Sequence, residues 1–315
     1  MTGAPIDISV VVCTYNRSAS LARTLESLRS QVVPPGVTWE VIVVDNNSTD
    51  ATLDVVRRFA DAAGPVFRGI REEKQGLSNA RNRGVTEARG GYIAFTDDDV
   101  LVPPEWVAVL LSTFEIGGWD GIGGRVRLKA ETKMPRWLKK ELWGFLACLD
   151  YGDEEIALSD PKRPFFGANM VFRRDVFDRL GLFDPELGRR GKRLVGGEET
   201  DLFERMVKSG MRIEYQPKAE VQHVVDPARF RKKYFRGLHY SSGWIEGTRY
   251  EYRGRQVAGI PGFVVLHVFR SVGIYLREGL REGFHNAFRK EMNIWYFLGF
   301  MAGRVRNRFA ERRPA

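Results

Sequence analysis

The first hundred residues alternate short apolar runs with amphipathic stretches. Ile8-Ser9-Val10-Val11-Val12-Cys13 is nearly continuous in apolar, mostly β-branched residues, the pattern of a parallel strand covered on both faces. Behind Ser18, which can cap a helix, Leu21, Leu25 and Leu28 recur at helical spacing. Trp39 to Val44 predicts a second buried strand ending in Asp45, and Asp50 stands where an N-cap belongs, ahead of Leu53, Val55, Val56 and Phe59. A short strand near Val66 to Ile70 precedes a helix over Leu77 to Ala88, which Gly84 weakens by ~1 kcal/mol. Tyr92 to Phe95 is the next strand, and Pro103-Pro104 opens a helix carrying Trp106, Val109, Leu110 and Phe114. This β-α-β-α-β-α-β series calls for an α/β fold, with a mostly parallel sheet flanked by helices and right-handed crossovers.

Beyond residue 118 the pattern loosens. A strand is expected through Val126 to Leu128, then a mobile basic loop over Lys133 to Lys140 and an aromatic-rich stretch at Trp143, Phe145 and Tyr151. Pro164 to Arg173 predicts a strand after a tight glycine approach, and Arg174 to Leu180 a short helix. Gly188 to Gly197, rich in Gly, Arg and Lys, predicts a flexible loop leading to Glu198-Glu199-Thr200-Asp201 and a helix through Ser209.

Charge divides the chain. The net charge is +9, yet residues 227 to 315 hold 18 Lys/Arg against 6 Asp/Glu, so the basicity belongs to the C-terminal third. A boundary near Asp226-Pro227 separates residues 1–226 from a basic helical segment, 227–315, suited to an anionic partner such as lipid head groups or nucleic acid. The 2 cysteines, Cys13 and Cys148, provide neither a disulfide framework nor zinc spacing, as suits a reducing compartment. Met1 to Asp7 lacks a basic segment and Ile8 to Cys13 is too short for a signal core, so no secretory signal is expected.

Two acidic clusters carry the candidate chemistry. Tyr92 to Phe95 runs into Asp97-Asp98-Asp99, at the end of a strand where ligands of open α/β sheets bind. Adjacent carboxylates repel one another, and their natural use is to hold a hard divalent cation; the plainer use is an acidic loop or cap before the next helix. Glu198, Glu199 and Asp201 open a helix, where capping explains one or two carboxylates but not three. A carboxylate beside others gains proton affinity, as a general base requires.

Five motifs in order then converge. Val10 to Arg17 (VVVCTYNR), Val44 to Asp50 (VDNNSTD), Gly76 to Gly84 (GLSNARNRG), Asp97 to Asp99, and Gly196 to Phe203 (GGEETDLF) closely resemble family 2 glycosyltransferases of the GT-A fold, over roughly residues 7 to 226. The resemblance implies a nucleotide-sugar donor, most often UDP-linked, a divalent metal (Mn2+ or Mg2+) and inverting transfer to an acceptor hydroxyl. It implies that Thr14, Tyr15 and Asn16 line the nucleotide pocket, that Asp45 accepts from the base, and that Asn79, Arg81 and Asn82 contact nucleotide or phosphate. Asp97 and Asp99 match the Asp-x-Asp motif, Asp99 as the direct ligand and Asp97 or Asp98 nearer ribose and sugar. The family's base is usually the Asp of a Glu-Asp pair; the aligned residue here is Glu199, with Glu198 and Asp201 as rivals. His223 falls where many GT-A enzymes put a further metal ligand or diphosphate contact, although a lone histidine on a strand is as readily half-buried packing. Trp137, Trp143 and Asn169 are candidate acceptor contacts, since a ring face and an amide suit a sugar; core or loop packing is the alternative.

In the C-terminal segment, Phe263 to Leu276 and Ile294 to Ala302 are apolar, and Arg304, Arg306, Arg308, Arg312 and Arg313 follow. Neither run reaches the ~20 residues that span a bilayer. The pattern is that of an in-plane contact with an anionic membrane, with Phe263, Phe269, Trp295 and Phe297 inserting, or of packing on a second copy of the chain. The leading expectation is a cytoplasmic glycosyltransferase, peripheral on the inner face of the membrane, extending a glycan or lipid-linked acceptor in cell-surface polysaccharide synthesis, with no nucleic-acid partner. Against it stand a sugar nucleotidyltransferase, whose Gly-rich N-terminal loop is missing, and a non-catalytic lipid- or nucleic-acid-binding protein retaining the fold.

Overall fold

The β-branched runs pair as parallel strands in the computed structural model, which describes residues 6–60, 66–189, 196–252, 254–257 and 259–311, the side chains of 307–311 excepted. β1 (Ile8–Thr14) lies between β2 (Trp39–Asp45) and β4 (Tyr92–Asp97), and β3 (Val66–Arg71) flanks β2, all parallel. Alternate side chains serve opposite layers. Val10, Val12, Val41 and Val43 pack against α1 (Ser18–Arg29), α2 (Thr52–Ala60) and α4 (Trp106–Gly117). Val11, Ile42, Val44, Ile93 and Phe95 share the other core with α3 (Leu77–Glu87), α5 (Asp175–Leu180) and α6 (Glu198–Lys208). Each such fully buried aliphatic contributes about 1.5–3 kcal/mol. Gly84 has a packing reason: a Cβ there would meet Val11 Cγ1 at 2.3 Å, so its absence lets α3 lie close on β1.

The looser second half extends the same sheet with antiparallel strands. β8 (Asn169–Arg173) pairs with β4 and with β6 (Gly121–Ala130), and β9 (Ile213–Val225) carries the short strands β5 (Val100–Leu101) and β7 (Ile156–Ala157). The order of the described strands is β3-β2-β1-β4-β8-β6-β9-β5, with β7 on β9. This is the α/β architecture expected, with its crossover strands in the leading half. Ser18 lies inside α1 rather than capping it. Its amide donates to Asp50 Oδ2 at 3.0 Å while Asp50 Oδ1 accepts from Thr52 N at 3.1 Å, so one carboxylate serves the starts of α1 and α2.

The described residues form two units, the first made of 6–129, 147–189 and 197–225, the second of 130–146 and 226–311 with Gly196. In the second unit, α7 (Lys232–Arg249) packs along α9 (Phe288–Glu311), and α8 (Gly262–Glu282) follows the ribbon β10 (Gln256–Val257) and β11 (Ile260–Pro261). Backbones touch where α7 and α9 cross: a Cβ at Gly243 would stand 1.9 Å from Tyr296 O, and one at Gly299 2.0 Å from Tyr240 O. No helix among the described residues is long and apolar enough to cross a membrane. Most of the expected loop from Gly188 to Gly197 lies outside the described residues, as do the side chains of Arg308, Arg312 and Arg313.

Candidate active site

The carboxyl ends of three strands lie side by side, because the register pairs Thr14 with Asp45 and Cys13 with Asp97. Asp45 is fully buried; its Oδ1 accepts from Ser48 N at 3.0 Å and its Oδ2 has no partner within the protein. An orphaned buried carboxylate oxygen is costly, and a ligand N–H would satisfy it. Asn46 next to it donates to Glu72 O (3.1 Å) and Lys74 O (2.9 Å) and accepts from Gly76 N (2.7 Å), holding the loop that opens α3. Asn16, at φ +52°, accepts from Thr49 N at 2.7 Å and ties the turn after β1 to the turn after β2. Tyr15 stays exposed beside it.

The aspartate triplet is divided among different partners. Asp98 is buried, accepting from Thr14 Oγ1 at 2.7 Å and from Arg17 Nη1 at 3.0 Å. Burial and the adjoining Asp99 charge push Asp98 up to about 7, with Arg17 and Thr14 opposing. Asp99 Oδ2 accepts from the same Arg17 nitrogen at 2.5 Å, and its Oδ1 lies 3.3 Å from His223 Nε2. The β5–β9 pairing sets that second contact, since it aligns Val100 with His223. His223 is buried, so the strand histidine that sequence left between two roles sits against an aspartate of the triplet. A carboxylate oxygen and an imidazole nitrogen at this separation are donors that suit Mn2+ or Mg2+. Among the described residues no group of three or more His, Cys, Asp and Glu side chains is set to hold a metal ion. Two protein ligands still fit a cation of the kind completed by water and substrate phosphates.

The second acidic cluster belongs to the same site. Arg81, buried on α3, holds Glu198 Oε1 at 2.6 Å and reaches Asp97 Oδ1 at 3.8 Å with its other nitrogen. Gly167 makes room for it: a Cβ there would meet Arg81 Nη2 at 2.1 Å. Glu199 follows in the first turn of α6 and its Oε2 has no partner, as is also true of Glu198 Oε2. Burial first, then the neighbouring Glu198 charge, pushes Glu199 up to about 8 against the pull of Arg81. One carboxylate is thus clamped by a guanidinium while its neighbour holds its proton tightly.

Several expected contacts have other tasks. Asp201 accepts from Arg205 Nε at 2.9 Å one turn along α6, and Arg205 donates onward to Leu180 O at 2.8 Å, so Asp201 anchors the helix. Asn82 exchanges hydrogen bonds with the Phe183 backbone at 2.8 and 2.9 Å, Asn79 donates to Gln75 O at 3.2 Å, and Arg81 is engaged by Glu198; this helix-opening segment braces the site. Asn169, expected as an acceptor contact, is fully buried. Its amide donates to Arg125 O (3.0 Å) and Ala219 O (2.6 Å) and accepts from Trp106 Nε1 (3.0 Å). Trp137 and Trp143 belong to the second unit. The Trp137 ring meets Phe288 and Phe235 edge-on at 4.8 and 5.3 Å, a packing role, whereas the buried Trp143 Nε1 has no partner.

Sequence reading missed Arg17 as the cation between Asp98 and Asp99 and Arg81 as the link between the two acidic clusters. Arg17 directly follows Thr14-Tyr15-Asn16, and a cation adjoining that turn was the available signal. Nothing local marks Arg81 and Glu198 as partners.

The family described as Glycosyl transferase family 2 matches residues 9–181. A glucosyl-dolichyl phosphate glucuronosyltransferase of Haloferax volcanii is 31% identical over 220 residues, covering 69% of this chain and 68% of its own. The succinoglycan biosynthesis protein ExoM of Rhizobium meliloti is 30% identical over 249 residues, covering 78% and 76%. Among solved structures, a mannosyltransferase of Pyrobaculum calidifontis in complex with GDP-Man and Mn2+ superposes with a TM-score of 0.63 at 17% identity, over 98% of this chain and 89% of that one. At that identity the likeness shows the fold, the GT-A arrangement of sheet and helices with a helical C-terminal region.

Proposed function

This chain belongs to glycosyltransferase family 2, and we propose that it transfers a sugar, with inversion, from a nucleotide-sugar donor to a hydroxyl of a glycan or lipid-linked acceptor. One observation carries the reading: Arg81 touches Glu198 and approaches Asp97, so two acidic motifs far apart in sequence share one site. The names of the relatives support a lipid-linked or polysaccharide acceptor, and the proposal includes a peripheral position on the inner, cytoplasmic face of a membrane.

In this reading the orphaned Asp45 Oδ2 accepts from the nucleobase, and Thr14, Tyr15 and Asn16 border the nucleoside. A divalent cation, Mn2+ or Mg2+, held by Asp99 and His223, would neutralise charge on the diphosphate. Glu198, paired with Arg81, orients the acceptor hydroxyl. Glu199, once deprotonated, takes the hydroxyl proton as the oxygen bonds to the anomeric carbon and the bond from that carbon to the diphosphate breaks. Attack opposite the leaving group inverts the configuration.

The test is a donor panel. Purified protein with Mn2+ or Mg2+ is expected to bind, and slowly hydrolyse, one of a set of UDP-, GDP- and dTDP-sugars, since a bound ligand raises stability as RT ln(1 + [L]/Kd). Absence of both a thermal shift and nucleotide release across the set would overturn the proposal.

A further inference from the structure

The apolar run from Phe263 to Leu276, extended to Leu280, forms part of α8. Of the four aromatics expected to insert into a membrane, three have partners within the second unit, Phe263 while still 38% exposed. Phe263 meets Tyr252 edge-on at 5.7 Å, Phe297 stacks on His267 at 5.2 Å, and Trp295 Nε1 donates to Glu291 at 3.0 Å. The leading arginines of the tail are engaged too: Arg304 donates to Gly259 O at 3.0 Å and Arg306 stands 5.0 Å over the Trp244 ring. Among the described residues, one side of α8 carries a run of exposed apolar side chains. Leu280 is 81% exposed, Phe269 71% and Leu266 67%, with Leu276 beside them.

Charge on this helix is sorted by side. Counting ~100° per residue, Leu266, Phe269, Leu276 and Leu280 share one sector ~80° wide, and Arg270, Arg277 and Arg281 fill the next ~40°. All three arginines are exposed, while the helix's acids, Glu278 and Glu282, lie farther round, at ~120° and ~160° from Leu266. An apolar stripe bordered by cations on one side is complementary to acyl chains beneath anionic head groups. A second copy of the chain would have to cover the stripe and also accommodate three like charges.

We propose that this side of α8 is an in-plane docking face for an anionic lipid bilayer. The helix lies along the surface, with Leu266, Phe269, Leu276 and Leu280 in the acyl boundary and Arg270, Arg277 and Arg281 at the phosphates. The assignment rests on the membrane-resident acceptor proposed above for its setting, and its test is independent of transfer.

Flotation of the full chain with vesicles of phosphatidylcholine, with and without phosphatidylglycerol, reads it directly. Binding is expected to need the anionic lipid and to weaken but persist as salt rises. Removing the arginines, as Arg270→Gln, Arg277→Gln and Arg281→Gln together, should lower affinity by about five-fold per residue, on the order of 100-fold in all. Leu266→Glu with Phe269→Glu should abolish binding at every salt concentration. Donor hydrolysis, measured in parallel, should persist in both variants, which shows that they fold and separates this proposal from the catalytic one. Vesicle binding unchanged by both sets of substitutions would overturn it. So would a wild-type chain that ignores anionic vesicles and forms a dimer that Leu266→Glu with Phe269→Glu dissociates.

Discussion

Arg81 Nη1 lies 2.6 Å from Glu198 Oε1 with both side chains buried, and this pair joins α3 to the first turn of α6. Breaking a buried pair from one side leaves an uncompensated charge and typically costs about 3–5 kcal/mol. Arg81→Met is therefore expected to lower Tm strongly and to abolish transfer. Glu198→Gln keeps the shape and a hydrogen bond, and should lower Tm less. A double variant, Arg81→Met with Glu198→Gln, should be less destabilised than the sum of the single changes; strict additivity in thermal melts would show that the pair is not coupled.

Glu199 separates base from binder. If it takes the acceptor proton, Glu199→Gln should lower kcat by ~10²–10⁴-fold and leave donor Kd within a few-fold. Nucleotide titration beside steady-state kinetics checks both quantities. Asp201→Asn, which loosens the link to Arg205, should lower stability more than kcat; a full loss of turnover in a stable Asp201→Asn protein would move the base there.

The same residue predicts a pH signature. Its folded value, about 8, lies above the ordinary 4.5, so between these limits the native chain binds more protons at Glu199 than the unfolded one. Stability contributed by the protonated group is then complete below about pH 4.5 and is lost as pH rises through about 8. Activity should run the opposite way, because the base must be ionised: kcat should climb through about pH 8 while Tm falls. Glu199→Gln should remove this part of the Tm slope. A kcat profile flat from about pH 6 to 9 would assign the base elsewhere.

Asp99 and His223 define the cation expectation. Asp99→Asn and His223→Ala should each weaken Mn2+ binding by on the order of 10–100-fold, read by electron paramagnetic resonance of free Mn2+ with UDP or GDP present. Arg17→Gln should strengthen it, since Arg17 Nη1 sits within 3.0 Å of Asp98 and Asp99 oxygens and competes for the same charge. Nucleotide affinity equal with and without the cation would dismiss a role for the metal in donor binding.

Asn169 distinguishes packing from recognition. Asn169→Leu would leave Arg125 O, Ala219 O and Trp106 Nε1 without their buried partner, at about 1–3 kcal/mol for each unsatisfied group. Tm should drop by many degrees, with acceptor KM unchanged in whatever fraction folds. A stable Asn169→Leu protein with a raised acceptor KM would restore it as a sugar contact.

The sequence by itself determined the layered sheet and where its acidic clusters fall along it. Apolar runs such as Ile8 to Cys13 and Tyr92 to Phe95 carry their strand signal locally, because side-chain alternation and helical spacing need only neighbours. The acidic residues after β2 and β4 were legible for the same reason: strand ends are sequence features, and in a parallel sheet they meet at one edge. Tertiary structure decided which partners each carboxylate has. Glu198 and Arg81 are 117 residues apart, His223 reaches Asp99 only through the β5–β9 register, and Asn169 is consumed by backbone carbonyls of two other strands. Proton affinity then follows from burial and from the partner chosen, which no local pattern encodes. The C-terminal helices show the same division: α8 and α9 both read as apolar and arginine-rich. The structure packs α9 on α7 at glycines that let the backbones touch, and among the described residues Leu266, Phe269, Leu276 and Leu280 of α8 are exposed.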